Sequence, residues 1–188
     1  MDIKNIAKEE IRAAFIGDAD LKDLLGEDVY RHSNRVCGFA LAIADAYGFN
    51  LQEKIDLAVG SLLHDIGKAY VPQAILQKAE KLTQNERVLI EQHPHEGYRR
   101  IKDLDFSKNV VDIIHYHHER LDGSGYPEKY SRKKIGILTQ IVSVADVYEA
   151  LTAKRVYHEP YSSERAFEIM EAQPGLNQLA VSILKEKQ

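Results

Sequence analysis

Cysteine is almost absent from this chain. The single thiol, Cys37, excludes an internal disulfide and any cysteine-rich zinc site, and it suits a reducing compartment. Long apolar runs are absent too. The N-terminal stretch MDIKNIAKEEIRAAF mixes both charges, so no secretory signal is predicted, and nothing later is long and apolar enough to cross a bilayer. These absences predict a cytoplasmic protein with no membrane partner. There is no basic surplus either. Lys and Arg number 25 against 29 Asp and Glu, for a net charge of −4, which argues against a dedicated nucleic-acid binder. A small anionic substrate stays open, because a local cation can hold phosphate in an acidic protein. Repeats, low-complexity segments, long linkers and runs of strict alternation are missing, so no substantial sheet is expected.

What is present is helical spacing. With 188 residues and 44% hydrophobic content, the chain can bury the core of one domain. Val29, Val36, Phe39, Ala40, Ile43 and Tyr47 fall mostly on one stripe, and Gly48 closes that helix. Further helices are predicted over 52–64, after Pro72, and from Thr83, where Thr83 and Glu86 make a capping-box signature. That helix or its successor runs through His93, with Pro94 as a break. Others cover 107–118 and 134–153. Ser162 or Ser163 caps a helix containing Ala166, Phe167 and Ile169. Two stretches, 69–72 and 122–127, read as loops, the second dense in glycine. Both follow histidine-bearing segments, and loops beside ligand-rich helix ends are common binding sites.

The chain has eight histidines: His32, His64, His93, His95, His115, His117, His118 and His158. His64-Asp65 ends an apolar helix, where a pair of titratable groups is costly to bury without a partner. A divalent metal suits both, since imidazole and carboxylate are acceptable ligands for iron, manganese or zinc. Adjacent residues diverge on a regular helix, so the two converge only if the helix ends there, and Ile66-Gly67 allows that turn. The same holds for His117-His118. Asp146 lies in the otherwise apolar run 141–145 and needs a partner. Each feature alone has a simpler account: a hydrogen-bonded His-Asp pair, a surface coincidence, a cap or an ion pair. Together they favour a metal cluster. His95 and His115 read as ordinary surface histidines, and Cys37 as a small core residue.

HDIGK (64–68), Pro72, Ile75-Leu76, Lys78, Lys81-Leu82-Thr83, His93-Pro94 with Gly97, HHERLDGSGYP (117–127), and Ala145-Asp146 with Arg155 and Tyr157 resemble, in order and spacing, the HD-GYP family of HD metal-dependent phosphohydrolases. The resemblance spans residues 28–172. HDIGK alone indicates the broad superfamily; HHERLDGSGYP in this place is highly specific. It implies an all-α HD-domain helical bundle with the HD-GYP extension, and a cyclic di-GMP phosphodiesterase giving pGpG, GMP or both. It also implies two divalent ions, iron or manganese, with Asp65 bridging them. His64 and Asp146 would serve the first ion, His93, His117 and His118 the second, and His32 matches the family's first histidine. Asp65 and Lys68 carry the catalytic role, with Lys68 on a substrate phosphate. Arg120, Gly125, Tyr126, Pro127 and Arg155 fall at the substrate, and the Gly125-Tyr126-Pro127 loop is also linked to partner contacts.

The chain departs from the family pattern in places. Asp28-Val29-Tyr30-Arg31 abuts His32, and Asp28, one helical turn before it, stands where some members place a third-metal ligand. Ala69-Tyr70 replaces a small apolar pair, which predicts a narrower pocket. His158 replaces a lysine or arginine. Residues 1–27, an N-terminal helical segment, are too few for a sensor or receiver domain; the catalytic domain is expected over 28–188. Two ions would acidify a water for in-line attack and offset charge on the phosphate. Alternatives are an HD phosphohydrolase for another nucleotide, or a signalling or binding module with weak catalysis. A homodimer or a signalling-protein partner is left open.

Overall fold

A computed structural model describes residues 2–15, 21–154 and 159–188. Local signals set most helix ends. The elements in chain order are α1 (Ile3–Ala14), α2 (Leu21–Leu25), α3 (Glu27–Tyr47), α4 (Leu51–Leu63), α5 (Gln73–Leu76) and α6 (Gln84–Glu91). They continue with α7 (His93–Ile101), α8 (Lys108–Tyr116), α9 (Ile137–Thr152), α10 (Ser163–Glu171) and α11 (Gln178–Glu186). Among the described residues there is no strand, only an isolated bridge between Asp122 and Ser131. The all-α expectation holds. Reciprocal capping boxes start α4 at Asn50 with Glu53 and α6 at Thr83 with Glu86, as the sequence predicts for the latter. Ser162 caps α10.

Three boundaries differ from expectation. The break between α6 and α7 falls at Gln92, and Pro94 sits inside the first turn of α7, where its missing N–H has no helical partner to lose. The 134–153 helix starts only at Ile137, because Arg132–Lys134 form a separate 3-10 turn ahead of Gly136. α11 was not predicted. Its signals are the Asn177 cap and the apolar set Ala180, Val181 and Leu184.

α4 is the axis of the bundle. Leu57 faces one core with Val36, Ile43, Ile113, Ile141 and Met170, while Ala58, Val59, Leu62 and Leu63 face another with Ala7, Ile11, Ile101 and Ile114. A helix apolar all round must be enclosed, and here α1, α3, α8 and α9 enclose it. α1 therefore shares the core through Ala7 and Ile11. Cys37 is fully buried, as expected of a core residue. No helix among the described residues is long and apolar enough to cross a membrane. The consequence for the site is rigidity: α3, α4, α7, α8 and α9, locked by these cores, bring their polar residues to one place.

Candidate metal centre

α4 ends at Leu63, His64 caps it, and Asp65 turns the chain into a 3-10 segment, Ile66–Tyr70. The helix end lets neighbouring side chains converge, and His64 Nε2 lies 3.4 Å from Asp65 Oδ2. Gly67 makes the turn for a different reason from the one expected. Its φ is not positive; what it supplies is space, since a Cβ there would sit 1.9 Å from the His93 carbonyl oxygen. The contact sets α7 directly on the turn. His93 opens α7, and His117 caps α8.

Two groups of potential ligands result. Asp65, His93, His117 and His118 form one, and His32, His64 and Asp146 the other, with ligand atoms in each within 4.8 Å of one another. They share Asp65. Its Oδ2 lies 3.5 Å from His32 Nε2, and its Oδ1 lies 3.3 Å from His93 Nε2 and 3.9 Å from His117 Nε2. His32 Nε2 is 3.2 Å from Asp146 Oδ1, which gives the buried aspartate of α9 its partner.

The outer nitrogens of these rings decide what the inner ones can do. Nδ1 of His64 donates to the Ser61 carbonyl at 2.7 Å, and Nδ1 of His93 to that of Ile90 at 2.7 Å. Nδ1 of His117 donates to the Ile114 carbonyl at 3.1 Å. A carbonyl only accepts, so each of these Nδ1 atoms carries a proton, and each neutral ring presents a bare Nε2 lone pair. His93 and His117 then point lone pairs at each other across 3.2 Å. Asp65 Oδ1, buried beside them, has no hydrogen-bond partner among the described residues. An unsatisfied buried acceptor costs about 1–3 kcal/mol, more if charged. A cation among these atoms resolves both penalties, and first-row metals at roughly 2.1 Å from each nitrogen fit such separations. The residues fit a divalent-metal centre.

Charge balance agrees. Burial opposes ionisation of Asp65, but the Lys68 ammonium beside it outweighs burial and holds the carboxyl well below the usual range. Burial likewise opposes ionisation of Asp146, and His32 reverses it. Burial pushes His64, His117 and His118 down, so they stay neutral near pH 7, as ligands must. His32 is the exception: burial opposes its charge, yet Asp146 and Glu149 raise its pKa to about 9, so without an ion this ring holds a proton that metal binding must displace.

Two residues at this site escaped sequence reasoning. Glu149, one turn after Asp146 on α9, accepts from His32 Nδ1 at 2.5 Å and from Arg35 Nε at 2.7 Å. The paired spacings His32–Arg35 and Asp146–Glu149 on facing helices were its only trace. Buried Glu119 accepts the backbone N–H groups of Glu128 at 2.6 Å and Tyr130 at 2.8 Å, so it fastens the glycine loop to the end of α8. Outer partners of metal-binding histidines typically matter 10–100-fold. Glu149→Ala is therefore expected to weaken metal binding roughly 10–100-fold in a competitive chelator titration. Unchanged affinity would reduce Glu149 to a partner of Arg35.

Other predicted residues fall as follows. Lys68 Nζ sits on Asp65 Oδ2 at 2.6 Å. Tyr126 stacks on His118 with ring centres 4.6 Å apart. Gly125 lies where a Cβ would meet the His118 carbonyl at 2.4 Å, so the Gly125-Tyr126-Pro127 loop borders the centre. Arg120 braces α8 against α9: its Nη1 donates to Ser143 Oγ at 2.6 Å and the Glu119 carbonyl at 3.0 Å. Asp28 is exposed and outside both ligand groups. Tyr70 is 57% exposed. His115 is not a surface residue. It is buried because α8 packs its face on α7, and burial and His95 push its imidazole down to about 4. Arg155, Tyr157 and His158 lie outside the described residues.

An all-α bundle that folds a His-Asp doublet at a helix end into a buried imidazole–carboxylate cluster defines a divalent-metal-binding protein of the HD type. The sequence comparisons make that specific. The HD domain family model matches residues 21–178, and the chain belongs to that family; its glycine loop is of the HD-GYP kind. It is 40% identical over 147 residues to the cyclic di-GMP phosphodiesterase PA4108 of Pseudomonas aeruginosa, covering 77% of this chain and 35% of that protein. It is 33% identical over 168 residues to the 3′3′-cGAMP-specific phosphodiesterase 1 of Vibrio cholerae, covering 89% of this chain and 39% of that one. The chain thus spans well under half the length of these curated relatives. Among solved structures, Bd1817, an HDGYP protein from Bdellovibrio bacteriovorus, shares the fold with a TM-score of 0.74 at 22% identity, covering 98% of this chain and 61% of that one.

Proposed function

We propose that this chain is a metal-dependent phosphodiesterase that hydrolyses a cyclic dinucleotide, cyclic di-GMP first among them, to linear pGpG and on to GMP. The observation that carries the reading is Asp65: one buried carboxylate with each oxygen turned to a different group of imidazoles. A bridging carboxylate is what a pair of ions needs, since an imidazole nitrogen has one lone pair and cannot serve both. The names of the relatives support the substrate class. We assign two divalent ions, iron or manganese, from the mixed imidazole and carboxylate donors. The catalytic domain in this reading runs over 28–188, α1 buttresses it, and the lone buried thiol suits a cytoplasmic setting.

When bound, the ions acidify water and offset the charge of a phosphodiester. The chain's own groups do the rest. The Ser61, Ile90 and Ile114 carbonyls fix the tautomers of His64, His93 and His117, and Glu149 orients His32. His32 and His64 with Asp146 would hold one ion, and His93, His117 and His118 the other. Tyr126, stacked on His118, sets that ring and forms the rim. Lys68 holds Asp65 and stands 24% exposed beside it, where its ammonium can reach a phosphate oxygen as a point charge. Lys68→Ala is expected to lower kcat about 10²-fold with metal content retained in elemental analysis; loss of metal would make Lys68 structural instead.

The test of the reading is elemental analysis of anaerobically purified protein, followed by chromatography of products from cyclic di-GMP, 3′3′-cGAMP and mononucleotides. Metal-dependent conversion of cyclic di-GMP to pGpG or GMP is expected. Faster turnover of 3′3′-cGAMP would reassign the base. Metal-loaded protein inert toward every cyclic dinucleotide would overturn the proposal.

A further inference from the structure

A third cluster lies outside this centre. One ligand atom each from His95, His115 and Glu128 fall within 4.8 Å of one another. His115 Nε2 is 2.9 Å from His95 Nδ1, and the opposite nitrogen of that ring, Nε2, is 3.7 Å from Glu128 Oε1, so an ion takes one of the two His95 nitrogens and the other ligand closes from within 4.8 Å. We propose that these three side chains bind one further first-row transition-metal ion, of the zinc type, which ties the glycine loop to α7 and α8.

The site is distinct from the main centre by helix geometry. His95 follows His93 by two positions on α7, and His115 precedes His117 by two on α8. Two residues rotate a helical side chain by about 200°, so both histidines point away from the ligands beside them. The cluster is also partly preformed. The His115 ring is sandwiched between Tyr98 and Tyr116, with centroids 4.5 Å and 4.3 Å away, so its nitrogen is aimed before any ion arrives. Glu119 holds the backbone N–H of Glu128 at 2.6 Å, which fixes where that carboxylate starts. The other two side chains keep solvent access, at 43% for His95 and 38% for Glu128, so an ion can enter and retain a water.

Two imidazoles and a carboxylate with an open fourth position form a zinc donor set. Tetrahedral coordination at about 2.05 Å places two nitrogens about 3.3 Å apart. The present 2.9 Å need open by only a few tenths of an ångström, which exposed His95 can provide. The three ligands come from α7, α8 and the segment directly after Pro127. An ion there would clip the loop in place and so hold Tyr126 against His118. Without an ion, the loop in that region keeps the Glu119 contacts, the stack and the Tyr126 N–H to the His118 carbonyl at 3.3 Å.

The probe is Zn²⁺. The 188-residue chain, with the main centre loaded by Mn²⁺, is dialysed against limiting free zinc and analysed for metal, together with His95→Ala and Glu128→Ala. Both substitutions remove exposed side chains and leave the cores intact. Wild type is expected to hold one more zinc per chain than either variant, and zinc is expected to slow amide exchange over residues 126–130 in wild type more than in His95→Ala. Equal zinc content in all three proteins would overturn the site, leaving His95 and His115 a plain hydrogen-bonded pair. Equal slowing of exchange in wild type and His95→Ala would overturn the clip.

Discussion

Asp65→Ala is expected to abolish hydrolysis and to strip metal from both halves of the centre. Asp65 lies close to both groups of imidazoles, with Oδ2 at 3.4 Å from His64 and Oδ1 at 3.3 Å from His93, whereas Asp146 is 3.2 Å from His32 but 3.9 Å from His118. Truncation removes a shared ligand and also leaves the Lys68 ammonium, now at 2.6 Å from Oδ2, without its counter-charge. The loss in kcat should exceed the roughly 10³-fold seen when a single electrostatic contact to a transition state is removed. Asp146→Ala is the informative contrast, because Asp146 sits closely in the His32–His64 group and only at 3.9 Å from His118 of the other; it should empty one half and weaken the other less. Circular dichroism of both variants should match wild type, since neither residue belongs to the apolar cores. Turnover by Asp65→Ala within about tenfold of wild type, far inside that 10³-fold bound, would remove this site from consideration.

Gly67→Ala should cost about 10²-fold in rate while altering no ligand side chain. The added methyl would lie 1.9 Å from the His93 carbonyl oxygen and 2.5 Å from the Gly97 nitrogen. Both are backbone atoms and cannot rotate aside, so α7 must back away from the turn by about 1 Å, carrying His93 off Asp65. A displacement of that size costs about 10²-fold in rate, and overpacking takes about 1–3 kcal/mol from stability. Activity, metal titration and thermal denaturation would all register it. Gly97→Ala is the control: its methyl meets the Ile114 and Ile66 side chains at 2.9 Å and 3.4 Å, which can give, so its effect should be smaller on all three. Wild-type activity and melting temperature in Gly67→Ala would mean that the close approach of α7 does not position His93.

Much of this protein was legible in order along the chain. Helix period, the Thr83–Glu86 cap and the helix stop at His64-Asp65 are local, because hydrogen bonds within a turn and the 3.6-residue period depend only on near neighbours. The types and order of the candidate ligands were equally visible. Gly67 was noticed but misread, since its role is the space it leaves for α7 rather than a freedom of its own backbone.

Only the tertiary structure decided the remainder. Glu149 reaches His32 across 117 positions, and Arg120 reaches Ser143 across 23; nothing in either neighbourhood names the other. The burial of His115 depends on α7 closing over α8, and the division of Asp65 between two groups of imidazoles depends on five helices arriving together. Spacing along one helix fixes which face a side chain occupies. What that face meets is chosen by the packing of the whole bundle, whose contacts join residues far apart in the chain.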